Sequence, residues 1–180
     1  MIETVKREEA KKVITDNHYS HSFPSGWTSC YKLEEAYVVF AIPANKNLEG
    51  FLFKEPVGLR ELSRLWAPDG HAPNLLTRTI AASVKQLRAD FPVCEAVVSF
   101  ADPNQGHLGG VYRAASWLYH GQSSEGRVYR LPDGTPVSRR SFHSGSKSLP
   151  PRLPVTYLPG KHRFVRCLTV RAKLLLKGAV

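Results

Sequence analysis

The apolar residues of this chain recur with two different spacings, and the switches between them mark its elements. Between residues 3 and 16, Val5, Val13 and Ile14 fall near one face of a helix, Glu8 precedes Lys12 by four, and Asn17 is a stop. A polar-aromatic stretch rich in turn residues follows, from His18 to Trp27. Tyr37-Val38-Val39-Phe40-Ala41-Ile42 is a run of β-branched and aromatic residues, which predicts a strand. Beyond the turn at Asn45 to Asn47, Gly50-Phe51-Leu52-Phe53 is expected to be its hairpin partner.

Alternation from Leu59 predicts a second strand through Leu65, then a loop to Pro73. Asn74 is a suitable N-cap for a helix reaching about Ala89, with Leu75, Leu76, Ile80, Val84 and Leu87 on one face. A strand over 93–100, a helix over 109–116 and a strand beginning at Trp117 complete the regular pattern. Beyond Pro132 the chain turns Pro-, Ser- and Arg-rich, with strand-like fragments at 155–157 and 164–166. It is expected to wrap the domain as extended structure and form no second core. The order of elements predicts an α+β (mixed α/β) fold, a central mixed sheet flanked by helices.

With 180 residues the chain makes one domain, or one domain and an extension. Its net charge of +10 is unevenly placed. Every residue of the excess lies after position 137, where Arg139, Arg140, Lys161, Arg163 and Arg166 stand among further basic residues with no Asp or Glu. Such a segment is the electrostatic footprint of a polyanion, most simply nucleic acid. A solvated or membrane-surface patch is the plainer alternative. Cys30, Cys94 and Cys167 are odd in number and never paired as C-x-x-C, which argues for a reducing compartment and against a disulfide framework or a zinc knuckle. The charged start and the lack of any long apolar run predict a soluble, cytoplasmic protein without a membrane partner.

One segment carries most of the chemistry. The apolar run 96–100 ends at Asp102 and Pro103, a glycine-rich bend follows, and Tyr112 opens the next helix. A carboxylate at a strand end points out of the sheet edge, where open α/β sheets place their ligands. A buried strand, a loop and a core tyrosine would give the same pattern.

The order of elements, with Gly110-Val111-Tyr112-Arg113-Ala114-Ala115-Ser116-Trp117-Leu118-Tyr119-His120-Gly121 at its end, is similar to the acyl-coenzyme A-dependent N-acetyltransferase (GNAT) superfamily. A narrower set resembles the phage Mom proteins, over roughly residues 14 to 125. Its motifs are Glu61-Leu62-Ser63-Arg64-Leu65, Pro73-Asn74, Val97-Val98-Ser99-Phe100-Ala101-Asp102, Gly106-His107 and Val111-Tyr112-Arg113-Ala114, with His18-Tyr19-Ser20 upstream.

The resemblance implies a GNAT-like catalytic domain over residues 1–130, with 131–180 as a basic extension packed on it. It implies an enzyme that adds a carbamoylmethyl group to adenine N6 in phage DNA, protecting it from host restriction, in the host cytoplasm. Double-stranded DNA is the expected partner, with a homodimer allowed. By resemblance, Arg64, Asp102 and Tyr112 are the functional positions, and His18 or His21 is a metal ligand.

Histidine, aspartate and tyrosine offer nitrogen and oxygen donors without thiolate, a set that suits iron; His18, His21, Asp102 and Tyr112 are the expected ligands. A redox metal has a rationale, because a carbamoylmethyl group is joined through its CH₂ carbon and plain acyl transfer joins through a carbonyl. The donor would be acetyl-coenzyme A or a related acyl carrier, held by Arg64, Asn74 and Leu75, with N–H groups at the helix start available to an anion. The superfamily's glycine-rich pyrophosphate loop is missing between Leu65 and Leu75.

Other roles stay open for several residues: backbone-bonded loop histidines for His18 and His21, a helix cap for His107, and an ion pair with Glu61 or Asp102 for Arg64. Adenine N6 lies inside the duplex, so the base must be extruded and stacked. Phe23, Trp27 and Trp66 are candidates, and each would serve equally as core. The basic tail, with Arg139, Arg140, Lys161, Arg163 and Arg166, would hold the DNA backbone. Two rival functions remain: an acetyltransferase acting on a protein amine or small molecule, and a non-enzymatic DNA-binding module.

Overall fold

The computed structural model describes residues 1–134, 136–138 and 153–178. In chain order its elements are β1 (Glu3–Thr4), α1 (Arg7–Asn17), β2 (Trp27–Leu33), β3 (Ala36–Ala41), α2 (Leu48–Leu52), β4 (Arg60–Trp66), α3 (Leu75–Asp90) and β5 (Ala96–Ala101). A 3-10 turn (Pro103–Gln105) leads to α4 (Gly110–Ala114), β6 (Leu118–Gln122), β7 (Gly126–Arg130), β8 (Pro136–Ser138), β9 (Val155–Leu158), β10 (His162–Cys167) and α5 (Val170–Leu175).

Seven strands form one sheet in the order β1-β2-β3-β4-β5-β10-β6, and β8-β7-β9 form a second, three-stranded one. Every pairing in the large sheet is antiparallel except that between β4 and β5. Helices cover both faces, because β3 and β5 are buried along nearly their whole length and cannot leave a face in water. Tyr31, Phe40, Leu62, Ile80, Val97, Tyr112 and Phe164 pack beneath α3 and α4. Leu52, Leu59, Val98, Val165 and Ala172 fill the other face beneath α2 and α5, and Ile14, Cys30, Tyr37 and Val39 fill it beneath α1. Among the described residues no helix is long and apolar enough to cross a membrane.

Several expectations change. The first predicted helix is shorter, because Glu3 and Thr4 pair with Lys32 and Tyr31 as an edge strand. Residues 50–53 are not the hairpin partner of β3. That partner is β2, and Leu48 to Leu52 is a single helical turn whose two ends, four apart, are both buried. Asn74 occupies the N-cap position of α3 with a left-handed φ of 61° and makes no side-chain cap; its carbonyl accepts from Arg78 N–H instead.

The tail differs most. Its fragment at 155–157 joins the small sheet, but β10 runs between β5 and β6 with six residues in register against β5. Phe164 and Val165 are consequently buried on opposite faces of the main core. Arg139 and Arg140 lie outside the described residues.

Candidate functional site

β4 and β5 pair only at Arg60–Val97, Glu61–Val98 and Leu62–Ser99; beyond this point the two strands part, although both continue. The ladder of β4 against β3 slips at the same place, with Val39 opposite Arg64 and Phe40 opposite Leu62. Ser63 is therefore left over as a bulge. A cavity of about 460 Å³ opens in this gap, and His18, Ser63, Asp102, His107, Gly109 and Tyr112 are among its walls. A site where two parallel strands separate leaves backbone groups and side chains facing a ligand and not one another.

Tyr112 reaches the gap from α4. Its ring stacks on Phe164 at 5.2 Å, and Ser99 Oγ lies 2.8 Å from its hydroxyl and 2.8 Å from the Leu62 carbonyl. Serine has one hydroxyl proton. When it goes to Leu62 O, Tyr112 donates to Ser99; when it turns to the Tyr112 oxygen, the phenol proton is released toward the cavity. Burial, with Tyr19 and Glu61 adding to it, pushes the phenol up to about 12 against the contrary pull of Ser99. Tyr112 thus carries its proton throughout the physiological range. α4 can begin this close to the core because Gly109 has φ 81°, and a Cβ there would sit 2.2 Å from the Phe164 ring.

His18 ends α1 and is buried, with the Tyr19 ring tilted beside it at 4.3 Å and His107 beyond, 5.2 Å from Tyr19. Ser20 N–H donates to His18 Nδ1 at 3.1 Å. A backbone amide can only donate, so Nδ1 is the acceptor and the neutral ring carries its proton on Nε2. Burial, reinforced by Arg64, His107, His21 and Lys161, lowers the pKa to about 4. His18 is a neutral hydrogen-bond donor in the wall of the cavity.

Asp102 sits where β5 ends. One oxygen takes the Asn104 N–H at 3.0 Å and its amide at 2.9 Å; the other meets Lys161 Nζ at 2.9 Å. Burial pushes the carboxyl up, but Lys161 and Asn104 outweigh it and hold the pKa below the ordinary aspartate value.

Arg64 is a clamp. Nε and Nη2 donate to the carbonyl and hydroxyl of Ser22, both at 2.9 Å, and Nη1 donates to Ser63 O at 2.6 Å. Its side-chain hydrogen bonds go to these serines and fasten the loop after α1 onto the bulged strand; no ion pair with Glu61 or Asp102 forms.

Of the expected iron ligands, His18, Asp102 and Tyr112 line the cavity and His21 does not. His21 turns away, with Nδ1 3.0 Å from Thr15 O. Asp102 is engaged on both oxygens, Tyr112 keeps its proton, and His18 would have to surrender the Ser20 bond to offer a lone pair at Nε2. No three His, Cys, Asp or Glu side chains among the described residues group as a metal site. This donor set does not fit iron, and no step is assigned to it.

A coenzyme A-type carrier finds a partial fit. The gap offers a channel walled by Leu65, Leu76, Gly110 and Val111. At the start of α3, Leu75 N–H is already bonded to Ala72 O.

The expected stacking aromatics lie elsewhere. Phe23, Trp27 and Trp66 pack with the cluster beneath α1, and the Arg7 guanidinium lies 5.7 Å over Trp27. Of the tail cations, Arg163 is buried with Nη2 on His120 O, while Arg166 is exposed with Nη1 on Ser116 O. The sequence reading gave no role to Ser99, Ser63 or Tyr19. All three stood inside the motifs that carried the resemblance, which was the one available signal.

Known proteins resemble this chain in sequence or in fold. Methylcarbamoylase mom of Escherichia phage Mu is 31% identical over 140 residues, which is 72% of this chain and 56% of its own length; the match spans about half of that relative. Two crystal structures of Arabidopsis thaliana NAA60 share the fold. The complex with acetyl-CoA has a TM-score of 0.54 at 10% identity, covering 93% of this chain and 98% of NAA60. The complex with a bisubstrate analogue has a TM-score of 0.53 at 8% identity, covering 94% and 99%. The architecture is therefore GNAT-like, as the order of elements led us to expect. The pattern of the Mom protein family matches residues 1–178, and the chain belongs to that family.

Proposed function

We propose that this protein is a DNA-modifying transferase that places a carbamoylmethyl group on adenine N6 in double-stranded phage DNA, and that the modification shields the DNA from restriction. The observation that carries the reading is the proton-bearing Tyr112 hydroxyl in the β4–β5 gap, relayed through Ser99 and set opposite the neutral His18. The donor must carry its leaving atom on the CH₂ carbon of the carbamoylmethyl group, so that this carbon bonds N6 as the leaving atom departs with the bonding pair and N6 gives one proton to water. An acetyl thioester of coenzyme A, the class named for the NAA60 complex, reacts at its carbonyl and would give an N6-acetyl product instead.

The protein's own residues then have definite tasks. Tyr112 delivers its hydroxyl proton to the leaving atom while the Ser99 proton swings from Leu62 O to the phenol oxygen. His18 Nε2–H donates to the carbonyl oxygen of the carbamoylmethyl group and orients its CH₂ carbon. Arg64 holds the loop that carries His18, and Asp102 with Lys161 ties the tail to the rim of the gap. DNA phosphates are assigned to exposed cations of the tail, Lys161 and Arg166 among the described ones.

Acetyl transfer to an amine is the second reading, favoured by the acetyl-CoA-bound structure that shares the fold. Mass spectrometry of nucleosides from DNA exposed to the protein separates the two. A carbamoylmethyl adduct on deoxyadenosine supports the proposal, an N6-acetyl adduct or acetylation of a protein amine or small molecule supports the second reading, and unmodified DNA refutes the first.

A further inference from the structure

Joining N6 to carbon calls for a proton acceptor as well as a proton donor. The lone pair of adenine N6 is delocalised into the purine ring, so N6 attacks readily only when a base takes one of its protons as the bond forms. Most polar groups in the walls of the Tyr112 cavity are already committed. His18 Nδ1 takes the Ser20 N–H, and its Nε2 carries the proton. Both Asp102 oxygens are engaged, by Asn104 and Lys161, and Tyr112 is protonated. Ser63 Oγ accepts from Arg64 Nη1 at 3.2 Å, and a neutral hydroxyl is in any case a weak base.

His107 is different. His18, His21, His71, His120 and His162 each engage a ring nitrogen in a hydrogen bond. Among the described histidines His107 alone does not. The helix-capping role open to it in the sequence is not taken up either, because Gly109 is the N-cap of α4 and no side chain caps that end. Its ring is exposed, and it stands in the wall of the same cavity as Tyr112 and His18. A neutral imidazole keeps one accepting nitrogen, and here no protein group occupies it.

The loop that carries the ring is well defined. The Asp102 carbonyl accepts both the Gln105 N–H and the His107 N–H, each at 3.0 Å, while Asp102 Oδ1 takes the Asn104 N–H. Gly106 closes this turn with a left-handed φ of 72°. On the far side the Tyr19 ring lies against the imidazole, with centroids 5.2 Å apart and planes at 45°. Backbone bonds from below and an aromatic neighbour beside it thus hold an unbonded imidazole at the cavity wall, as a base in a site must be held.

Resting on the DNA-transferase reading, we propose that His107 is the catalytic base that takes the N6 proton on its way to water. In the step, N6 bonds the CH₂ carbon of the carbamoylmethyl group and gives one proton to the unprotonated ring nitrogen of His107. The bond from that carbon to the leaving atom breaks, and its electron pair stays on that atom with the proton from Tyr112. His107 then releases its proton to water, and Tyr112 regains one from water. All bonds change by electron pairs, so the step needs no oxidant or reductant. Acid and base stand in one cavity, five residues apart on either side of Gly109 and Gly110.

The test uses the full chain as wild type, His107→Gln and His107→Ala. Extract of cells expressing each protein, which contains the donor the host makes, is given fresh duplex DNA with or without added imidazole. Carbamoylmethyl-deoxyadenosine is then measured by mass spectrometry. Both variants should melt and bind duplex DNA as the wild type does, because the ring is exposed and carries no hydrogen bond. They should modify adenine at least about 100-fold more slowly. Imidazole should restore His107→Ala by at least about tenfold and leave the wild type unchanged, a response that a merely structural role would not give. Wild-type rates in both variants overturn the assignment and leave the transferase reading intact, and so does a loss in His107→Ala that imidazole does not restore. If the wild type modifies no base, the transferase reading falls and the role of His107 falls with it.

Discussion

Lys161 Nζ lies 2.9 Å from Asp102 Oδ2, so the cation just before β10 is fastened to the carboxylate at the end of β5. Their strands are neighbours, with His162 opposite Ala101. The pair forms because β10 enters the sheet, and it sets the Asp102 oxygens at the rim of the gap. Asp102→Asn keeps an acceptor for Asn104 N–H but loses the charge, whereas Asp102→Ala loses both. Both variants should lose adenine modification, and Asp102→Ala, which also loses the acceptor for Asn104 N–H, should be less stable than Asp102→Asn by about 1 kcal/mol in denaturant unfolding. Lys161→Ala should raise the Asp102 pKa, read from its carboxyl carbon by NMR. The folded-state pKa of Asp102 is depressed, so the stability it contributes is present above the unfolded value and disappears as pH falls through the folded one. The difference between wild type and Lys161→Ala should shrink over that acid window.

His18 gives a second pH dependence. Its folded pKa of about 4 is depressed from 6.5, so the unfolded chain takes up the proton first as pH falls. The contribution is complete above about 6.5 and declines toward pH 4, with a range on the order of 1–3 kcal/mol. His18→Asn should flatten the stability curve between those values. A His18 ring that titrates near 6.5 by NMR would contradict the buried neutral assignment.

Gly109→Ala should destabilise the protein by about 2–4 kcal/mol, from the left-handed backbone and the contact with Phe164 together. Gly110→Ala, where a Cβ meets nothing within 4 Å, is the control and should be nearly neutral. Paired thermal melts decide this.

The tail cations should divide by position. Arg166→Ala should weaken duplex binding on all sequences alike and lower the log–log salt slope by about one. Arg163→Ala should lower the melting temperature, since its guanidinium bonds His120 O inside the fold. An unchanged salt slope for Arg166→Ala would remove that residue from the phosphate contact.

Most strands and helices were legible because their period is local. The alternation from Leu59 and the apolar run 93–100 became β4 and β5, and the helices beginning near Asn74 and Gly109 became α3 and α4. Residues 50–53 misled because Phe, Leu and Phe favour a strand. What decides is the burial of Leu48 and Leu52 beneath the sheet, a tertiary term that outweighs propensity.

Strand β10 showed as a short apolar fragment, but nothing local says that it pairs with β5, a strand far upstream in the chain. For the same reason the unbalanced tail charge was only half readable. Lys161 finds Asp102, and Arg171 finds Glu55 and Glu95, all in the part of the chain that is neutral by count. In the candidate site, Tyr112, Asp102 and His18 were named from motifs and do line one cavity. The iron set was not recoverable from residue types, because ligation depends on where lone pairs point, and Ser20 and Lys161 have already claimed two of them.

The central claim is that proton delivery from Tyr112 in the β4–β5 gap drives modification of adenine. It is tested most directly by nucleoside mass spectrometry on DNA from cells expressing wild type or Tyr112→Phe. Phenylalanine keeps the stack on Phe164 and leaves Ser99 bonded to Leu62, so the variant should fold. The account predicts carbamoylmethyl-deoxyadenosine with the wild type and at least about a 100-fold loss with Tyr112→Phe at equal protein level. Equal modification by the two proteins would contradict it.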